Sequence, residues 1–118
     1  MQRWYVIMTK PSQDKVAEQN LKNQNYEVYR PTMVQQKIRR GKSVTVVESL
    51  FPRYLFIKLD DQNQNWGPVR STKGVVQLVK FGHKLAEISP LIIEAIQQRE
   101  IALLNQPVEN TLKQGDAL

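Results

Sequence analysis

The chain has 118 residues, 41% of them hydrophobic and 24% charged, which is the composition of a single folded domain rather than of a disordered chain. No run of about 18 apolar residues is present, the apolar stretch at the N-terminus is too short for a signal peptide, and the absence of cysteine removes disulfide and thiolate chemistry, as expected of a cytoplasmic protein. The formal net charge of +6 lies entirely in residues 1–45, where nine Lys and Arg face only Asp14, Glu18 and Glu27; a polyanionic partner is one reading, a merely basic surface the other.

Trp4-Tyr5-Val6-Ile7-Met8 reads as a central strand that ends at Lys10-Pro11-Ser12. Ser12 is placed to cap a helix over about residues 13–23, with Val16, Ala17 and Leu21 as its apolar stripe and Gln13, Asn20 and Gln24 along one flank. A second strand follows over residues 26–31. Residues 34–38 and 43–47 then form the arms of a hairpin whose tip, Arg39-Arg40-Gly41-Lys42, has a glycine free to take a positive φ. Three cations on that tip are exposed in any arrangement and serve either solubility or contact with phosphate.

Leu50-Phe51-Pro52-Arg53-Tyr54-Leu55-Phe56-Ile57-Lys58 concentrates apolar side chains in mid-chain, with a strand over residues 53–59. Leu55 and Ile57 fall on one face, Tyr54, Phe56 and Lys58 on the other, so the strand needs cover on both. One cover is the chain's own core and the other is a second element or a partner; for Phe56, core and partner surface both stay open. A polar loop over residues 60–65, a short irregular or helical segment over 66–74 and a strand over 75–82 follow. Ser89-Pro90 then opens a last helix with Ile92, Ile93, Ile96 and Ile101 as its stripe. The order predicts an α+β fold: a mostly antiparallel sheet of about four strands flanked by helices, with a protruding hairpin.

Catalytic motifs are absent. His83 has no companion ligand at metal-site spacing and reads as an exposed loop histidine, so neither metal nor cofactor is expected. No nucleotide-binding loop or nucleophile elbow occurs, and Asp60-Asp61 in a polar turn reads as a solvated pair. The aromatic strand lacks the glycines of an RNA-recognition strand, which favours protein contact or core over base stacking.

Trp4-Tyr5, Leu50-Phe51-Pro52-Arg53-Tyr54-Leu55-Phe56, Thr72-Lys73-Gly74-Val75 and Val79-Lys80-Phe81-Gly82, at these separations, resemble the N-terminal (NGN) domain of NusG-type transcription elongation factors over residues 1–104. Lys10, Gln13, Arg40-Gly41-Lys42, Glu48 and Leu50-Phe51-Pro52 look closest to the RfaH-type branch. The resemblance implies a monomeric, non-enzymatic bacterial factor that binds the RNA polymerase clamp helices, reaches towards the opposite pincer and suppresses pausing and termination. It implies a polymerase-binding surface of Phe51, Pro52, Tyr54, Phe56, Ile93 and Ile96, with Trp66. It implies contact with the non-template DNA strand through Lys10, Gln13, Thr72 and Lys73, extended to Asn20, Arg40, Lys42 and Arg70. Asn65-Trp66-Gly67-Pro68 stands where RfaH has a His-Thr-Thr-Thr run, and Val16 and Asn20 stand where it has an arginine and a histidine. Residues 105–111 then read as a linker, and residues 112–118 as the truncated start of a KOW-like C-terminal domain. The rival readings are a stand-alone RNA- or ribosome-binding module gripping phosphate through the basic first third, and a purely structural domain.

Overall fold

In the computed structural model, which describes residues 1–62 and 66–104, the chain begins with β1 (Gln2–Thr9), α1 (Asp14–Lys22) and β2 (Glu27–Tyr29). The hairpin β3 (Thr32–Arg39) and β4 (Lys42–Ser49) comes next, then β5 (Tyr54–Asp60), α2 (Gly67–Arg70) and β6 (Val75–Leu78). The last elements are β7 (Lys80–Phe81), β8 (Lys84–Leu85), β9 (Glu87–Ile88) and α3 (Pro90–Leu104). The main sheet has the order β2-β5-β1-β6, antiparallel throughout, and β9 adds to β1 beside Trp4 and Tyr5. This is the α+β class that the sequence predicts. The expected linker and KOW-like start lie outside the described residues.

Both faces of the sheet are covered, because β1 and β5 carry apolar side chains in both phases of the strand period. On one face Tyr5, Ile7, Leu55, Ile57 and Leu59 meet Ala17 and Leu21 of α1, Val69 of α2, and Val75 and Leu78 of β6. On the other, Trp4 and Phe56 meet Ile93 of α3, with Val6, Tyr29, Ile88 and Ile96 at the margin. Fully burying each such aliphatic or aromatic side chain contributes about 1.5–3 kcal/mol.

Four local expectations change. Ser12 does not cap α1: it takes a φ of +61° in the preceding turn, and Gln13 occupies the cap position without a side-chain bond. Val16 turns outward, leaving Ala17 and Leu21 as the buried stripe. The strand expected over residues 75–82 stops at Leu78; Val79 still donates its N–H to the Val6 carbonyl, but Lys80 and Phe81 turn away into a small hairpin with β8 around Gly82 at φ +65°. In α3, Ile93 and Ile96 face inward with Glu100 one turn on, whereas Ile92 and Ile101 are each 52% exposed.

The β3–β4 hairpin closes on a two-residue turn in which Arg40 (φ +53°) and Gly41 (φ +77°) are both left-handed, the geometry that matches the natural strand twist. Its eight-residue arms carry the tip on the order of 25 Å from the base. Two groups hold that base. Arg30 donates to Glu18 of α1 at 2.9 Å and to the Ser49 hydroxyl at 3.0 Å. Glu100 accepts from the Thr32 N–H at 2.6 Å, from the Thr32 hydroxyl at 2.8 Å and from the Tyr29 hydroxyl at 2.8 Å. Burial pushes the Glu100 carboxyl up, but the bonds from Thr32 and Tyr29 outweigh it and hold the group below its ordinary value.

The hairpin can be tested at its tip and at its base. Arg40→Asn creates the Asn-Gly pair that suits two left-handed positions and should raise the unfolding free energy by about 0.5–1 kcal/mol, read by urea denaturation; an unchanged midpoint would contradict the turn geometry. Because the folded carboxyl of Glu100 lies below its unfolded value, its contribution is present above the ordinary carboxylate range and is lost as pH falls through the folded value. The stability gap between wild type and Glu100→Gln should therefore be largest at neutral pH and shrink below about pH 4; a gap that does not vary with pH would refute it.

Candidate functional site

The turn that feeds β5 is built from an unfavourable backbone. Tyr54 donates its N–H to the Phe51 carbonyl at 3.0 Å, with Pro52 second in the turn and Arg53 third at φ +74°. That position normally takes glycine, and a side chain there costs about 1–2 kcal/mol. Three bonds hold Arg53 in place: its N–H donates to the buried Asp14 carboxylate at 3.1 Å, its Nε donates to the Thr9 carbonyl at 3.1 Å, and its own carbonyl accepts from the Thr9 N–H at 2.8 Å.

The turn displays two aromatic rings at the edge of the core. Phe51 is 39% exposed and Tyr54 38%. Phe51 stands edge-on to Phe56 at 6.2 Å, and Phe56 lies nearly parallel to Tyr29, also at 6.2 Å. Ile93 is not the surface residue that the resemblance implies, and Phe56, open between core and surface in the sequence, falls in the core: they are 3% and 8% exposed under α3 and serve as backing. Ile96 is half-buried beside them, and Pro52 is exposed. Trp66 does not join this group. It packs on the opposite face of the sheet against Tyr5, ring centroids 5.4 Å apart.

A polar patch forms where the end of β1 meets the loop before β6. Lys10 donates its N–H to the Gly74 carbonyl at 2.9 Å, and Asn20 reaches the Lys73 carbonyl with its amide at 3.4 Å. Gly74 (φ +94°) lies so close to α1 that an added Cβ would stand 3.0 Å from the Ala17 nitrogen and 3.1 Å from the Gln13 carbonyl oxygen. Lys10, Gln13, Asn20 and Lys73 thus share one surface, the two lysines exposed and the two amides half-buried.

Thr72 departs from its expected place at the surface. It is buried, and its hydroxyl donates to the Pro68 carbonyl and accepts from Gln24 Nε2, both at 2.8 Å. Gln24, which the sequence marks only as part of a polar flank, is the positioning residue for this loop. Arg70 lies on α2 beside a separate cleft, and Arg40 and Lys42 sit on the distant hairpin tip. The residues expected to touch DNA therefore fall in three places.

Asp60 and Asp61 are ion-paired rather than merely solvated. Arg3 binds Asp61 at 2.8 Å and Glu87 at 2.7 Å, and the amino group of Met1 binds Asp60 at 3.0 Å. The bond from Arg3 chiefly holds the Asp61 carboxyl below its ordinary value, and the Gln62 N–H does so for Asp60. Groups held charged in this way are poor proton shuttles. Among the described residues no group of three or more His, Cys, Asp or Glu could hold a metal, and no helix is long and apolar enough to cross a membrane.

A family model described as "Transcription termination factor nusG" matches residues 2–97. That match assigns the class, a family of transcription factors and not of enzymes. The chain belongs to the NusG family. Its relatives include the transcription termination/antitermination protein NusG of Thermus thermophilus, 31% identical over 102 residues, which cover 74% of this chain and 55% of that protein. The Rickettsia conorii protein of the same name is 27% identical over 84 residues, covering 64% of this chain and 44% of that one. A solved structure of Thermotoga maritima NusG is also similar, at 19% identity and a TM-score of 0.49, covering 81% of this chain and 55% of that one. The chain spans about half the length of these relatives, 55% and 44% for the two proteins above.

Gly74→Ala should force α1 and the loop before β6 apart and lower stability by about 1–3 kcal/mol. Thermal melting checks it, and a variant as stable as wild type would show that the close approach of Gly74 to Ala17 is not required.

Proposed function

We propose that this domain is a transcription elongation and antitermination module that docks on RNA polymerase through Phe51, Pro52 and Tyr54. The observation that carries the reading is the pair of aromatic rings left 39% and 38% exposed on a turn that Asp14 and Thr9 hold in place. Large apolar groups at a rigid, partly desolvated site are the usual anchors of a protein interface, and alanine substitution of one typically costs about 2 kcal/mol or more. Phe56, Ile93 and Ile96 support the anchors from beneath, and the clamp helices are the surface on the polymerase that the family resemblance names.

Beside the anchors, Lys10, Gln13, Asn20 and Lys73 face the non-template strand in this reading. The lysines meet phosphate, and the half-buried amides of Gln13 and Asn20 can read base edges. Two half-buried amides beside the two lysines are what favours a specialised, sequence-selective factor of the RfaH type over a general one.

Phe51→Ala and Tyr54→Ala should each lower affinity for RNA polymerase at least tenfold with little loss of stability, measured by titration with purified polymerase; undiminished binding in both would remove the turn from the interface. Lys10→Ala with Lys73→Ala should weaken binding to a non-template strand in an elongation complex and flatten its salt dependence by roughly 0.7 log units for each phosphate that is no longer neutralised. A wild-type protein that treats all non-template sequences alike would reduce the reading to a general NusG-type factor.

A further inference from the structure

The sheet face opposite α3 carries a cleft of about 880 Å³ that the proposed function leaves unused. It opens between α2, the end of β6, the β7–β8 hairpin and β1. Tyr5 and the half-buried Trp66, tilted 48° to one another, supply an aromatic wall. Arg70, Lys80, His83 and Lys84 line it from two separate elements. Among the described residues Arg70, Lys80 and Lys84 form no ion pair. Both carboxylates of the lining, Asp61 and Glu87, are engaged by Arg3 at 2.8 and 2.7 Å. Arg3 and the Met1 amino group offset two of the three charges of Asp60, Asp61 and Glu87, so Arg70, Lys80 and Lys84 leave the opening with a net positive charge. Phe81, 76% exposed, stands on the same hairpin directly across from Lys84.

We propose that this cleft is a second nucleic-acid site, which takes an unpaired strand. Its phosphates lie along Arg70, Lys80 and Lys84, one base meets Trp66 inside, and another stacks on Phe81 at the rim. Cations spaced along a groove with interleaved aromatic rings are the pattern of single-strand binding, since every base offers a face and only an unpaired base can present it. A duplex has no free base face for Trp66. A free mononucleotide fits less well, because the cations are spread over two elements rather than gathered round one phosphate. The volume lies within the range of about 300–1,000 Å³ for small-ligand clefts, which suits one or two nucleotides of a longer strand. The site stands independently of polymerase docking. Arg70 precedes Lys73 by only three residues, so the test silences the other patch first.

Fluorescein-labelled dT12 and U12 are titrated at low salt into a Lys10→Ala/Lys73→Ala background, with anisotropy and tryptophan emission recorded together. We expect binding with quenching of Trp66, while the buried Trp4 stays constant. Adding Lys80→Ala and Lys84→Ala should lower affinity at least tenfold, and Lys80→Arg with Lys84→Arg should retain it. Both lysines are exposed, so circular dichroism of the variants should match wild type. A preference for U12 or dT12 names the strand, and equal binding assigns a site that reads phosphate and base faces alone; each supports the proposal. Affinity unchanged by the two alanines, equal binding of a duplex of the same length, or competition by inorganic tripolyphosphate as strong as by the oligonucleotide would overturn it.

Discussion

The geometry of both candidate surfaces depends on the end of β1, which holds the aromatic turn through Arg53. Arg53 is left-handed in its backbone without being glycine, and it stays so because Asp14 takes its N–H and Thr9 exchanges bonds with it on both sides. Strain of this kind persists only where the surroundings over-determine it. The same short stretch of β1 that holds Arg53 continues into Lys10, whose N–H fixes Gly74 and hence the loop bearing Lys73. One end of one strand therefore positions an aromatic turn on one side and a cationic loop on the other.

The two-sided sheet explains why Phe56 and Ile93 are not left for a partner. α1 and α2 close one face and α3 closes the other, and Glu100 ties α3 to the start of the hairpin. Phe56 and Ile93 are consumed in that closure. What remains at the edge is the turn, where Phe51 and Tyr54 are exposed by position rather than by a lack of possible cover. An exposed pair on a rigid support loses little further conformational freedom on binding, which favours an interface.

Much of this fold is legible in the sequence, because strand periodicity is a strong signal. The double-faced pattern of residues 54–59 foretells cover on both sides, and the family motifs place Gly74 and the aromatic turn. What the sequence leaves open or misplaces has physical causes. Phe56 and Tyr54 share a strand face, and only the course of α3 buries the first and leaves the second at the edge. Thr72 reads as a donor for DNA because nothing in the sequence shows that Gln24, 48 residues away, fills its hydroxyl. Trp66 reads as one more apolar anchor, yet α2 carries it to the other side of the sheet, beside Tyr5. For Arg53 the preceding Pro52 is the one hint of a turn, since the sequence places no glycine where the turn needs a positive φ.

Whether Asp14 holds the turn is tested most directly by amide hydrogen exchange of Arg53 and Lys10 in wild type and Asp14→Ala, read alongside polymerase affinity. Asp14→Ala is expected to lose protection at Arg53, to keep it at Lys10, and to bind polymerase more weakly although Phe51 and Tyr54 are unchanged. Protection retained at Arg53, with polymerase affinity equal to wild type, would contradict the role given to Asp14.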